Sequence, residues 1–281
     1  MFRLLDPYKA LLDVGPVQMS VIAERKGMPL GRGEWSKLEE MVSGWLADIT
    51  RYRAMVQQPW LKITRLDGVA KVVQRMHSAV RSTQDVSLTP MAAVAGTIAG
   101  LICDYFVEHG ATKVVVNNGG DIAVHLGKGE KTRVGIAPRL GVPPSHYLDL
   151  KYGDQIGGIA TSGLGGRSFT LGIADAAVVM ATDPSVADAC ATVLGNAVNV
   201  ESVLIKRRLA QEIDPATDIP DLWVTVAVGT LPNELKAIAL ERGVSKARQL
   251  VEQKLLAGAV IFVAGEMRQY PRNIVRSVAD H

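Results

Sequence analysis

Apolar positions recur along the chain in two rhythms, and the changeovers between them mark out its elements. Over GEWSKLEEMVSGWLADITRYRAMVQQ (33–58) they return every three to four residues, which predicts a long amphipathic helix. GVAKVVQRMHSAVRS (68–82) repeats that rhythm over a shorter helix. TPMAAVAGTIAGLICDYFVEHG (89–110) reads as a helix of small residues with a glycine stop, suited to close packing against a sheet or another helix. At TKVVVNNGGDIAVHLG (112–127) two apolar runs flank a glycine turn and predict a hairpin. Further strands are expected at 15–25, 131–138, 147–153, 156–163, 222–229 and 258–266, with a long or broken one at 168–183. ATDPSVADACATVLGNAV (181–198) predicts a helix capped by Asp183, with Pro184 in its first turn. A short charged helix should follow it, and a helical pair should run to about residue 257.

Helices and strands come in runs without regular alternation, which predicts an α+β layered fold with helices packed on mainly antiparallel sheets. A generic α/β sandwich is the alternative. No linker divides the 281 residues, so 1–281 is expected to be one domain, with two similar halves as a variant, and the loop LGVPPSHY (140–147) is internal.

Composition removes several function classes. A net charge of +3, scattered basic residues and 5% aromatics argue against a nucleic-acid surface. Cys103 and Cys190 are far apart and form no CxxC pair, so neither a disulfide scaffold nor a zinc site is indicated. His77, His109, His125, His146 and His281 show no metal-ligand spacing. MFRLLDPYKALLDVG lacks the features of a signal peptide, and the apolar stretches fall short of a membrane span, so a cytoplasmic protein without a membrane partner is expected. Helices 33–58 and 89–110 offer more apolar face than one small layer needs, which predicts a homodimer. Asp85 and Asp104 have no partner nearby in sequence, and 24–34 reads as a solvated basic loop.

Three stretches carry candidate chemistry. Asp188 and Thr192 lie one helical turn apart on one face, where two oxygen ligands suit a hard cation such as Mg²⁺. Ser185 to Asp188 also reads as a capping box, with Thr192 bonding back to a carbonyl. In VNNGGDI (116–122) Gly119 and Gly120 permit positive φ and close approach of a ligand, beside Asn118 and Asp121, or they simply make a tight hairpin turn. GGIATSGLGGRS (157–168) offers an anion nest with Thr161, Ser162, Ser168 and Arg167, or a plain loop; it is neither a P-loop nor a dinucleotide fingerprint.

The small-residue helix, VNNGGDI, IATSG and ATDPSVADACAT, in that order, resemble the ApbE family, the FAD:protein FMN transferases, with their AKG-type helix, VNxGGDI, ATSG and ADAxAT. The resemblance covers about residues 89–198 and is nearest to a compact branch of that superfamily. It implies an ApbE-like, T-fold-like domain. It further implies Mg²⁺ on Asp188 and Thr192 with a backbone carbonyl near Val94 or Ala95. A flavin pocket for FAD or FMN would be lined by Asn118, Gly119, Gly120 and Asp121, with Thr161 and Ser162 nearby. Arg167, with Gly165 and Gly166, would offer a substitute phosphate site for a nucleotide-like ligand. Two departures count: the lysine and aspartate of the small-residue helix are replaced around Ala95, Gly96 and Gly100, and the HxxDPxTG segment is missing. Both remove groups that stabilise charge during phosphoryl transfer. Two functions therefore stand: a flavin-nucleotide or phosphoryl-group transferase, and a non-catalytic accessory protein. The compact branch's association with anaerobic sulfur assimilation into homocysteine suits the second.

Overall fold

The computed structural model describes residues 1–139 and 141–278; Leu140 and His281 lie outside them. The chain opens on a meander of β1 (Phe2–Asp6), β2 (Lys9–Val14) and β3 (Val17–Arg25), with the short β4 (Met28–Pro29) folded back on β3. Strict alternation shapes β3: Val17, Met19, Val21 and Ala23 point into the core and the residues between them point away. The amphipathic run at 33–58 forms α1 (Arg32–Ser36), α2 (Leu38–Arg51) and α3 (Arg53–Val56), broken at Lys37 and Tyr52. Then come α4 (Lys71–Ser82), a 3₁₀ turn (Pro90–Ala93) capped by Thr89, and α5 (Val94–Glu108).

The expected hairpin is β5 (Lys113–Asn118) and β6 (Asp121–Leu126), closed by Gly119 and Gly120. After β7 (Lys131–Ile136), β8 (His146–Lys151) and β9 (Gly158–Ser162), the long strand expected at 168–183 is reduced to β10 (Ala176–Ala181). α6 (Pro184–Ala197) starts where its cap predicts. The short charged helix expected next is instead β11 (Ile205–Leu209), whose backbone pairs with β12 (Trp223–Val228) and leaves only one 3₁₀ turn, Ala210–Glu212. The expected helical pair is one helix, α7 (Asn233–Glu252). Gly243 does not break it; a Cβ there would meet Ile261 and Val198 at 2.7 Å, so the glycine lets α7 press onto the core. β13 (Gly258–Val263), β14 (Glu266–Tyr270) and β15 (Arg276–Ser277) complete the described chain.

Every strand pairing among the described residues is antiparallel, and the fold is α+β. One ten-stranded sheet runs β1-β2-β3-β5-β6-β9-β10-β13-β14, with β4 beside β3. Helices α2, α4 and α5 bury its first strands, and α6 and α7 cover β9, β10 and β13. The smaller sheet β15-β8-β7 packs on the opposite face through Val134, Leu148, Ile159 and Val178.

The apolar faces of α2 and α5 pack inside the chain through Val42, Ile49, Ile98 and Phe106. One expectation needs correcting. Residues Pro90–Glu108 are long and apolar enough to cross a membrane by length and composition, but most of that stretch is buried against α4, α6 and the sheet.

Candidate functional site

Asp183 caps α6, its Oδ1 accepting from the Ser185 and Val186 amides at 2.7 and 3.0 Å. Asp188 is thus not needed at the helix start. Its Oδ2 instead accepts from the Gly96 amide at 2.8 Å, in the first turn of α5, where amides lack helical partners. The capping-box reading of Asp188 falls on this geometry. Gly96 is obligatory: a Cβ would lie 2.2 Å from the Pro184 carbonyl oxygen and 2.7 Å from the Asp188 Cβ. Thr192 Oγ1 donates to the Asp188 carbonyl at 3.5 Å, the back-bonding the sequence allowed, at the long end of the range. Behind this contact, Arg75 bridges Asp104, Asp183 and the Ser185 hydroxyl, so Asp104 is paired after all.

The β5–β6 turn meets this helix pair. Gly119 and Gly120 adopt φ of +69° and +112°, and Asn117 Oδ1 accepts from the Gly120 amide at 2.9 Å. Asn118 Nδ2 donates to the Ala95 carbonyl at 3.2 Å, fixing a backbone oxygen beside Asp188. Asp121 Oδ1 accepts from the Thr161 amide at 3.3 Å.

Burial pushes the Asp121 carboxyl up to about 7, against the Thr161 amide and Arg167, which favour its charged form. Burial, then repulsion from Asp121, pushes Asp188 well above the usual carboxylate range, against the amides of Gly96 and Ala95. The two acids are close enough for their charges to repel. Carboxylates, the Thr192 hydroxyl and the Ala95 carbonyl are all-oxygen donors, the set a hard dication takes. Among the described residues no three His, Cys, Asp or Glu gather around a metal position, so such an ion would be completed by ligand or water oxygens, as Mg²⁺ commonly is.

A cavity of about 1040 Å³ opens in front of this pair. Asn118, Gly119, Gly120, Asp121, Thr161 and Arg167 line it, as the sequence suggested. Asp188 and Thr192 are not among the lining residues; Asp188 lies close enough to Asp121 to feel its charge. Ser162 turns away: its side chain lies against Gly195 of α6. Sequence reasoning missed the apolar walls, Leu12, Met19, Ile49 and Ile98 on one side and Ile136 and Val142 on the other. It also missed Arg139, in a loop without any motif.

A family model described as "AbpE bacteria" matches residues 4–269. The chain belongs to this family. Among curated relatives of this AbpE chain, a UPF0280 protein of Archaeoglobus fulgidus is 42% identical over 129 residues, 45% of this chain and 50% of the relative. Another, of Methanothrix thermoacetophila, is 41% identical over 142 residues, 50% and 57% respectively. The chain spans about half the length of the curated relatives it matches. The solved flavin transferase ApbE of Vibrio cholerae superposes with a TM-score of 0.53 at 12% identity, over 93% of this chain and 96% of that one. Pseudomonas stutzeri flavinyl transferase ApbE, in its apo form, gives 0.52 at 12%, over 96% and 97%. At such identity the AbpE chain shares their fold, and the motif order read in its sequence fits that likeness.

Proposed function

We propose that this chain binds a flavin nucleotide, or another phosphorylated ligand, together with Mg²⁺. The observation that carries this reading is a pair of acids with mutually repelling charges, Asp121 and Asp188, of which Asp121 lines a cavity of about 1040 Å³ together with Ala95. That volume suits a dinucleotide-sized ligand. Its fold-level likeness to flavin transferases supports the choice of FAD or FMN.

Asp188 and Thr192 would hold the metal with the Ala95 carbonyl, and Asn118 would keep that carbonyl aimed. Bound there, Mg²⁺ supplies positive charge to the oxygens of a diphosphate. Apolar walls would exclude water and hold a ring system, while Gly119 and Gly120 admit the ligand close to the backbone. Thr161 and Arg167 would meet its polar end. We take the chain to act as one unit, since the cavity draws its lining from β2, β3, α2, α5, β6, β7, β9 and β10.

A second reading, an accessory protein that binds but does not transfer, is favoured by one observation: no histidine or lysine lines the cavity among the described residues. Thermal melts with FAD, FMN and riboflavin, with and without Mg²⁺, test the binding common to both. Mg²⁺-dependent stabilisation should occur with a flavin nucleotide, and Asp188→Asn should abolish it while leaving the fold intact. Stabilisation that survives both Asp188→Asn and Thr192→Val would sink the metal assignment. Release of AMP or FMN from bound FAD then separates transferase from accessory protein.

A further inference from the structure

Asp175 lines the cavity and ties together three segments far apart in sequence, two of which line it as well. Its Oδ1 accepts from Arg139 at 2.8 Å, in the β7–β8 loop. Its Oδ2 accepts from the Ala264 amide at 2.6 Å, in the β13–β14 turn. Its backbone carbonyl accepts from the Gly165 amide at 3.0 Å, in the turn after β9. Glycine is required at that contact. A Cβ on Gly165 would lie 2.9 Å from the Asp175 carbonyl oxygen and 3.1 Å from the Arg139 Cα. The same turn delivers Arg167, whose guanidinium packs on Gly119, 3.3 Å from where a Cβ would stand.

The charges on this part of the lining do not cancel. Asp175 is 13% exposed and already engaged through both oxygens, whereas the Arg139 side chain is 64% exposed and gives Asp175 one donor. The other Arg139 N–H groups, and all those of Arg167, have no hydrogen-bond partner among the described residues. A guanidinium carries five donors in a planar fork that matches phosphate oxygens. Two such forks on one cavity wall are spare recognition capacity for a dianion.

We infer that Arg139, positioned by Asp175, joins Arg167 in a subsite that recognises the diphosphate of the ligand. This rests on the reading of the cavity as a phosphorylated-ligand site and adds the residues that select for charge. Arg139 and Arg167 bind the anion directly; Asp175 is a positioning residue.

Calorimetric titrations in EDTA, so that no metal holds the anion, test this with inorganic pyrophosphate, FAD and riboflavin. Arg139→Ala and Arg167→Ala should each weaken pyrophosphate about tenfold, the size of one or two charge-assisted hydrogen bonds. Riboflavin binding should not move. Asp175→Asn keeps an acceptor for Ala264 but loses the charge; it should weaken pyrophosphate less than Arg139→Ala does and add nothing in the Arg139→Ala background. Arg133→Ala, on an arginine already paired with Asp149 outside the cavity, serves as the control. Failure of the unaltered chain to bind pyrophosphate would overturn the subsite, as would unchanged binding by both arginine variants. FAD binding indifferent to both arginines removes the subsite and leaves the flavin reading standing. Pyrophosphate binding that needs both, with no binding of FAD either in EDTA or when the titration is repeated in Mg²⁺, keeps the subsite and removes the flavin reading.

Discussion

Asp121 and Asp188 set the pH response of the folded chain. An unfolded aspartate gives up its proton near 3.8, whereas Asp121 holds it to about 7 and Asp188 is displaced in the same direction. Between those values the folded state binds more protons than the unfolded state, so stability falls as pH rises from about 4 to about 7. Metal-free protein should therefore melt at a lower temperature near pH 8 than near pH 5, and Mg²⁺ should narrow the gap. Asp188→Asn, which removes one acid of the pair, should flatten the profile; an unchanged slope would contradict this account of the pair. Two threonines give a sharper contrast. Thr97 is fully buried, and its hydroxyl has no partner among the described residues. Thr97→Val should be neutral or stabilising by up to about 1 kcal/mol in chemical denaturation. Thr192→Val should leave stability alone and cost metal response. That Asp188 and Thr192 share one helix was legible from the cap at Asp183 and the run of small residues after it. The partner of Asp188 was not, because Gly96 stands on another helix and no local pattern joins them.

Helix ends follow rules written in neighbouring residues, and helix contacts do not. Asp183 and Pro184 announced the start of α6, and Asp183→Ala should cost about 1 kcal/mol through the lost cap, with a further loss from its pairing with Arg75. Gly96→Ala should cost more, about 2–4 kcal/mol, because the added methyl must force α5 away from the Pro184 carbonyl and from Asp188. Urea unfolding reads both, and a smaller loss for Gly96→Ala than for Asp183→Ala would show that the helices yield easily. Strand content was harder to see where neighbours supply the reason for it. β11 reads as a charged segment through Lys206, Arg207 and Arg208, and its strand exists because β12 pairs with it. β1 and β2 carry adjacent leucines, Leu4–Leu5 and Leu11–Leu12, which hide the alternation that burial shows in β2. α7 reads as two helices because Gly243 is a helix breaker in isolation and a packing device in place.

At the level of the whole molecule, runs of helix and strand were enough to indicate an antiparallel α+β fold. The cavity was not legible, because Leu12, Ile49, Ile98 and Ile136 meet only after the sheet forms. The strand order has a further consequence, for synthesis. β10 lies between β9 and β13, and β13 begins at residue 258. While the ribosome adds the roughly eighty residues between them, taking several seconds at about 5–20 residues per second, one edge of β10 has no mate. That edge belongs to Ala176–Ala181, buried throughout in the finished protein and without a charge to repel another strand. Nascent chains at this length should be the most aggregation-prone species the gene produces. Chains ending near residue 250 should pellet with the insoluble fraction and bind a holdase chaperone, whereas chains extended through residue 278 should escape both. If the shorter chains stay in the supernatant unaided, α6 or α7 must shield that edge before its partner arrives.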